Sequence, residues 1–173
     1  GGKGAYNSKD SAYYGWYDFQ EWPNQYTSWW NFDTLPTVNK MDPAFLEYII
    51  TGEDSVIAHW LGLGADGFRL DVADELPNEF LLLLKQRIRE LKPDALLIGE
   101  VWEDASNKIA YDRRTSYYYG RELDGVMNYP LRTGLISYLR HKSTDALSYY
   151  FNEVLPNMPK RAADLAMNLL GTH

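Results

Sequence analysis

Two carboxylates and one arginine are the residues of this chain best placed to do chemistry. Asp71 closes the run Asp66-Gly67-Phe68-Arg69-Leu70-Asp71, and Glu100 closes Ala95-Leu96-Leu97-Ile98-Gly99-Glu100. Short apolar runs of this kind form the buried strands of parallel sheets. The C-terminal ends of such strands carry the site in parallel α/β folds, so both acids are expected at one mouth. Arg69 lies two residues before Asp71 and so points to the same side of its strand. A guanidinium there keeps a carboxylate ionised, as a nucleophile at neutral pH requires. Glu100 follows an apolar run and is expected to have a raised pKa, which suits a proton donor. An ionised and a protonated carboxyl about 5 Å apart are the pair that cleaves a glycosidic bond with retention. The competing reading is an Arg–Asp ion pair tying neighbouring strands, beside an ordinary helix-capping Glu. On spacing alone it is the commoner arrangement.

The elements around these residues alternate. Phe45, Leu46, Ile49, Ile50, Val56, Ile57, Trp60 and Leu61 recur at helical spacing, with Glu53 and Asp54 between them. Asp42 before Pro43 supplies the start of that helix, and Gly62 and Gly64 its stop. A strand over 66–71 follows. A helix over 79–91 comes next, with Phe80, Leu81, Leu84, Ile88 and Leu91 on one face and Pro93 as its terminator. The spacing then predicts a strand over 95–100, a polar loop and a third strand over 123–128. Helices over 130–140 and 144–154 lead to a fourth strand over 165–170. Strand–helix alternation gives βα units and a parallel sheet, hence an α/β fold. Residues 1–40 have no sustained period and read as an aromatic-rich loop region, with residues 41–173 as the α/β part. Long loops of that kind are functional or packed over a site. Trp29 and Trp30 are read as packing rather than as sugar platforms, His59 as a structural helix residue, and His141 as a solvated residue at a helix end.

Bulk properties narrow the classes. The chain has 173 residues, 45% of them apolar, with a net charge of -7 and no cysteine. An acidic surface excludes a phosphate-backbone partner, so no nucleic acid is expected. A mean hydropathy of -0.45 and the lack of an apolar run of about 18 residues argue against a membrane protein. Without cysteine there is no disulfide framework, and the compartment stays open, with the cytoplasm favoured. No glycine-rich phosphate loop follows any strand, which disfavours a nucleotide enzyme. Six Trp and 14 Tyr exceed what such a core needs. Aromatic faces stack on sugar rings, although partly buried surface uses the same residues. Asp10, Asp18 and Asp33 are oxygen donors of the type calcium prefers, but no EF-hand spacing supports a site.

The residues themselves carry a stronger signal. Gly64-Ala65-Asp66-Gly67-Phe68-Arg69-Leu70-Asp71-Val72-Ala73 resembles the strand-four motif of the α-amylase family of glycoside hydrolases. Ile98-Gly99-Glu100-Val101-Trp102 resembles its strand-five motif, and Asn168-Leu169-Leu170-Gly171-Thr172-His173 the start of its strand-seven motif. The three occur in family order. Leu35-Pro36-Thr37-Val38-Asn39 and Val126-Met127-Asn128-Tyr129-Pro130 are similar to segments of the neopullulanase, cyclomaltodextrinase and maltogenic amylase subgroup, with Thr37 where a lysine is usual.

The resemblance implies a (β/α)8 TIM barrel, of which this chain supplies about strands four to seven and their helices. It implies Asp71 as nucleophile, Glu100 as general acid/base and Arg69 as the residue positioning the nucleophile. It further implies that His173 binds sugar hydroxyls, that Glu75 and Trp102 line the cleft, and that Asn128 touches substrate or caps the next helix. No cofactor is required, calcium is permitted, and the partner is an α-glucan oligosaccharide, with a homodimer open to the parent protein. The implied reaction is hydrolysis of α-1,4-glucosidic bonds with retention. Alternatives are transglycosylation, α-1,6 cleavage, or a non-catalytic relative that binds carbohydrate. A whole barrel takes about 250 residues. The chain is therefore expected to be a fragment, poorly active alone, with the family's first motif upstream and its third catalytic carboxylate after His173.

Overall fold

Aromatic side chains separated by Gly, Asn and Pro cannot sustain a long helix or strand, and the N-terminal stretch packs ring against ring instead. The computed structural model describes residues 3–172, in two compact units, Gly1–Ala58 and His59–His173. In the first unit a short antiparallel hairpin joins β1 (Phe19–Glu21) to β2 (Gln25–Tyr26). Strands this short leave no readable alternation, which is why the sequence reads there as loop. Tyr14 stacks on Phe19 at 5.2 Å, and Trp16 meets Phe45 edge-on at 5.2 Å. Trp29 and Trp30 stack on each other at 4.9 Å, and Trp30 stays 62% exposed.

The helix expected from Pro43 is broken. Asp42 caps α1 (Pro43–Leu46) by accepting from the Ala44 and Phe45 N–H groups, and a π-turn over Glu47–Thr51 follows. Gly52 then turns extended, and Ser55 Oγ donates to the Ile50 carbonyl while accepting from the Ala58 N–H. Glycine followed by three polar residues lets the chain restart as α2 (Val56–Gly62) instead of continuing. The stop is the expected one. Gly64 adopts a φ of 102°, its N–H donates to Leu61, and the Ala65 N–H reaches back to Trp60. This is the glycine-dependent closure of a helix C-terminus.

In the second unit β3 (Gly67–Leu70) leads through a short turn to α3 (Asn78–Leu91) and then to β4 (Leu96–Gly99). A hairpin of β5 (Ile109–Ala110) and β6 (Arg113–Arg114) interrupts the polar stretch before β7 (Gly125–Val126). The sheet order is β3-β4-β7, all parallel, with Gly67 to Leu70 in register with Leu96 to Gly99. Gly67 tolerates no side chain: an added Cβ would sit 2.1 Å from the Leu96 carbonyl oxygen. The fourth predicted strand is reduced to one parallel bridge, Met127 to Met167, held by the Asn128 N–H on Met167 O and the Met167 N–H on Val126 O, both at 2.9 Å. After β7 come α4 (Tyr129–His141), α5 (Asp145–Tyr149), which runs on as a π-turn to Val154, and the unanticipated α6 (Lys160–Asp164).

The core of this unit joins Leu81, Leu84 and Ile88 of α3 to Leu97, Val101, Leu123 and Val126 of the sheet region, all but fully buried. Leu91, expected on that face, is exposed, whereas Lys85 is buried. Lys85 lies one turn after Leu81 and so reaches the sheet, where its ammonium pairs with Asp124. Asp124 also accepts from the Leu97 N–H at 2.8 Å and from Arg89 at 3.2 Å. Burial pushes the Lys85 pKa down more than the Asp124 carboxylate pulls it up. The cluster fastens α3 at the N-terminal ends of β4 and β7.

Candidate active site

Parallel pairing delivers both acids to the same end of the sheet. The Glu100 N–H donates to the Leu70 carbonyl, and the Ala73 N–H to the Glu100 carbonyl, each at 2.9 Å. The two strand ends are therefore laced together where Asp71 and Glu100 emerge. Between them Val72 holds a left-handed backbone (φ 43°, ψ 55°). That conformation costs a non-glycine residue about 1–3 kcal/mol and marks functional turns. It aims the Val72 N–H at Glu100 Oε2, 3.0 Å away. The turn packs closely enough that a Cβ on Gly99 would lie 2.9 Å from the Ala73 Cβ and 2.5 Å from Leu123.

One guanidinium bridges the acids. Arg69 Nη1 lies 2.5 Å from Asp71 Oδ1, and Nη2 lies 2.8 Å from Glu100 Oε1. Its Nε donates to Met127 Sδ at 3.4 Å, which fixes the plane of the fork. The carboxylates differ in surroundings: the Asp71 side chain is 70% exposed and that of Glu100 only 3%. Glu100 Oε1 also accepts from the Tyr129 hydroxyl at 3.0 Å.

The raised pKa expected for Glu100 is not what this geometry produces. Burial pushes its carboxyl up, but hydrogen bonds from the Val72 N–H, Trp102 and Tyr129, with the Arg69 charge, outweigh burial and hold it below the usual glutamate value. The apolar strand predicts the desolvation correctly and gives no sign of the ring of donors waiting at its end.

The other anticipated residues divide. Trp102 follows β4 directly and is 54% exposed. Glu75 closes the turn Ala73–Glu75 just after Asp71, half-buried, and its carbonyl accepts from the Tyr111 hydroxyl at 2.6 Å. Asn128 is buried, and its amide donates to Tyr150 and Asn168 while its oxygen accepts from the Leu131 N–H. Both amide protons and the oxygen are thus engaged within the protein. Asn128 caps the helix that follows it. His173 lies outside the described residues. His59 is exposed, edge-on to Trp60, and His141 ends α4 in solvent.

Calcium finds no support in the acidic residues named for it. Asp18 accepts from Gln20 and Thr27, and among the described residues no three His, Cys, Asp or Glu side chains converge on a metal position. Among the same residues no helix is long and apolar enough to cross a membrane. Tyr129 and the Val72 N–H escaped the sequence reading. The signal for Tyr129 was its place as first residue of the helix leaving β7, where a side chain leans back toward the strand ends.

Comparison with known proteins fits this architecture. The family profile described as alpha amylase, catalytic domain, matches residues 5–168. A cyclomaltodextrinase of Geobacillus thermopakistaniensis is 31% identical over 96% of the chain, and neopullulanase 2 of Thermoactinomyces vulgaris is 30% identical over 95%. The chain spans 28% of the length of each of these relatives. Among solved structures, the ligand-free cyclic alpha-maltosyl-(1→6)-maltose hydrolase of Arthrobacter globiformis superposes on 96% of the chain with a TM-score of 0.81, and the match covers 37% of that enzyme. At 23% identity that last likeness speaks to the fold alone.

Proposed function

Because the chain belongs to the α-amylase catalytic-domain family, whose fold is a (β/α)8 barrel, we propose that it carries the paired carboxylates of a retaining α-glycoside hydrolase. The substrates are α-1,4-linked glucans of the maltooligosaccharide and cyclodextrin class. In this reading β3, β4, β7 and the Met167 segment are barrel strands four to seven. Asp71 attacks the anomeric carbon as the bond to the leaving oxygen breaks, and Glu100 gives that oxygen its proton. Glu100, now a carboxylate, takes a proton from water, whose oxygen displaces Asp71 from the glycosyl ester. Arg69 orients both acids. Trp102 and Glu75 line the acceptor side of the cleft, where water or a second sugar attacks, and His173 binds sugar hydroxyls.

The observation that carries the reading is the single guanidinium shared by an exposed and a buried carboxylate at adjacent parallel strand ends. It suits the short carboxyl separation of retaining enzymes, about 5–5.5 Å. The resting Glu100 is ionised and must gain a proton before the first step. A glucan that fills the cleft and expels water favours that uptake.

The test is leaving-group dependence in the full-length protein. Glu100→Gln is expected to lower kcat/KM on maltotriose by about 10²–10⁴-fold. It should spare kcat/KM on α-glucosyl fluoride, whose departing fluoride needs no proton, because the lost base acts only in the later hydrolysis of the ester. Asp71→Asn should abolish both activities. Equal losses on both substrates in Glu100→Gln would overturn the assignment of Glu100.

A further inference from the structure

Glu100 is surrounded by groups that serve only one of the two charge states a proton-transferring acid must occupy. Arg69 pairs with it as an ion pair at 2.8 Å, the Val72 N–H donates to it, and the Trp102 side chain acts as a further donor in lowering its pKa. A guanidinium, a backbone amide and an indole N–H can donate but never accept. Each stabilises the carboxylate, and none can receive a hydrogen bond from the protonated acid. The remaining partner among the described residues is the Tyr129 hydroxyl, 3.0 Å from Oε1, and a hydroxyl can both donate and accept. Tyr129 also has a second contact: its oxygen lies 3.2 Å from Thr172 Oγ1, in a pair where either atom can be the donor.

We propose that Tyr129 is a positioning residue for Glu100, a partner able to turn from donor to acceptor and so to seat the protonated acid as well as the carboxylate. When Glu100 is charged, the tyrosine proton points at Oε1. When Glu100 is protonated, the tyrosine proton turns to Thr172 Oγ1, and the tyrosine oxygen accepts from the acid. No covalent step is involved, and the tyrosine keeps its own proton throughout. The hydroxyl is fixed in place by the cap that starts α4, since Asn128 Oδ1 accepts from the Leu131 N–H and sets the direction of the first turn. Among the described residues the charged and titratable groups facing Glu100 are Arg69 from β3 and Tyr129 from α4, with Asp71 on the far side of the Arg69 fork.

This inference deepens the proposed function and rests on it for its catalytic meaning, but its test does not require turnover. Carboxyl carbons of the chain are labelled with ¹³C-glutamate, Glu100 is assigned by its loss in Glu100→Gln, and its titration is followed by NMR. Tyr129→Phe keeps the ring and removes the hydroxyl; the carboxylate loses a charge-assisted bond and the protonated acid only a weaker neutral one, so the Glu100 pKa is expected to rise by about half a unit or more. Fluorotyrosine at the same position has a more acidic hydroxyl and donates more strongly, so the pKa is expected to fall below that of the unmodified chain. Tyr119→Phe, at an exposed ring, should leave it unchanged. Opposite shifts ordered by hydroxyl acidity are a signature that mere packing does not give. An unmoved Glu100 titration in both Tyr129 variants, with their amide spectra otherwise intact, would overturn the proposal. A dead enzyme with these shifts intact would instead count against the proposed function alone.

Discussion

Arg69 ties the two acids into one electrostatic unit, and the consequences can be read in stability as well as in chemistry. The Glu100 carboxyl sits below its ordinary value of 4.5 because its donors and Arg69 outweigh its burial. A carboxyl with a lowered folded-state pKa stabilises the fold fully above the unfolded value, and that contribution is lost as pH falls through the folded value. Wild type and Glu100→Gln are therefore expected to differ most in urea-unfolding free energy near neutrality. The gap should shrink as the pH is taken below about 4. A gap that stays constant with pH would show that the donors do not favour the charged form. That Asp71, Glu100 and Arg69 meet was legible in the sequence, because residues at the ends of adjacent parallel strands, and two before them, share one side of the sheet. Tyr129 was not, since its contact spans 29 positions and depends on how a helix leaves a different strand. Nor was the sign of the Glu100 shift, which is set by three donors from three separate parts of the chain.

Among the elements, α3 and the strands flanking it were read closely, because an apolar stripe over three turns and a proline stop are strong local signals. What the stripe concealed was Lys85, a charged residue on the core face whose partner, Asp124, is 39 positions away. A lysine in an apolar stripe reads as an edge residue until the opposing carboxylate is seen. Asp124 holds Lys85, Arg89 and the Leu97 N–H together. Asp124→Ala leaves a buried ammonium and a strand N–H unpaired, and is expected to cost about 3–5 kcal/mol. Lys85→Met leaves Asp124 with Arg89 and the Leu97 N–H, and should cost clearly less. Chemical denaturation of the two variants measures the difference, and equal costs would mean that neither the unpaired ammonium nor the strand N–H adds a penalty. The broken helix after Pro43 and the two short hairpins were misread for a different reason. Gly52 and two- or three-residue strands disturb periodicity over windows too small for a pattern to register.

Across the whole molecule, the second unit brings an exposed carboxylate and a buried one to one end of a parallel sheet and fastens α3 by an ion cluster at the other. This is the division of labour expected of barrel folds, with chemistry at the C-terminal strand ends and stability at the N-terminal ends. On the proposed reading the substrate is a neutral glucan, to which this chain's net charge of -7 offers nothing, and binding would rest on hydrogen bonds and ring stacking rather than long-range attraction. The rate constant kcat/KM on maltotriose is accordingly expected to stay within about twofold between low salt and physiological ionic strength. A steep fall with salt would point to a charged substrate.

The nucleophile itself is open to direct view. A fluorinated α-glucosyl fluoride slows hydrolysis of the glycosyl ester and lets it accumulate, and the full-length protein can be digested and the modified peptide located by mass spectrometry. The account predicts one glycosyl adduct, on Asp71, that disappears in Asp71→Asn. An adduct on Glu100 or another residue, or none at all under conditions where the protein turns over maltotriose, would contradict it.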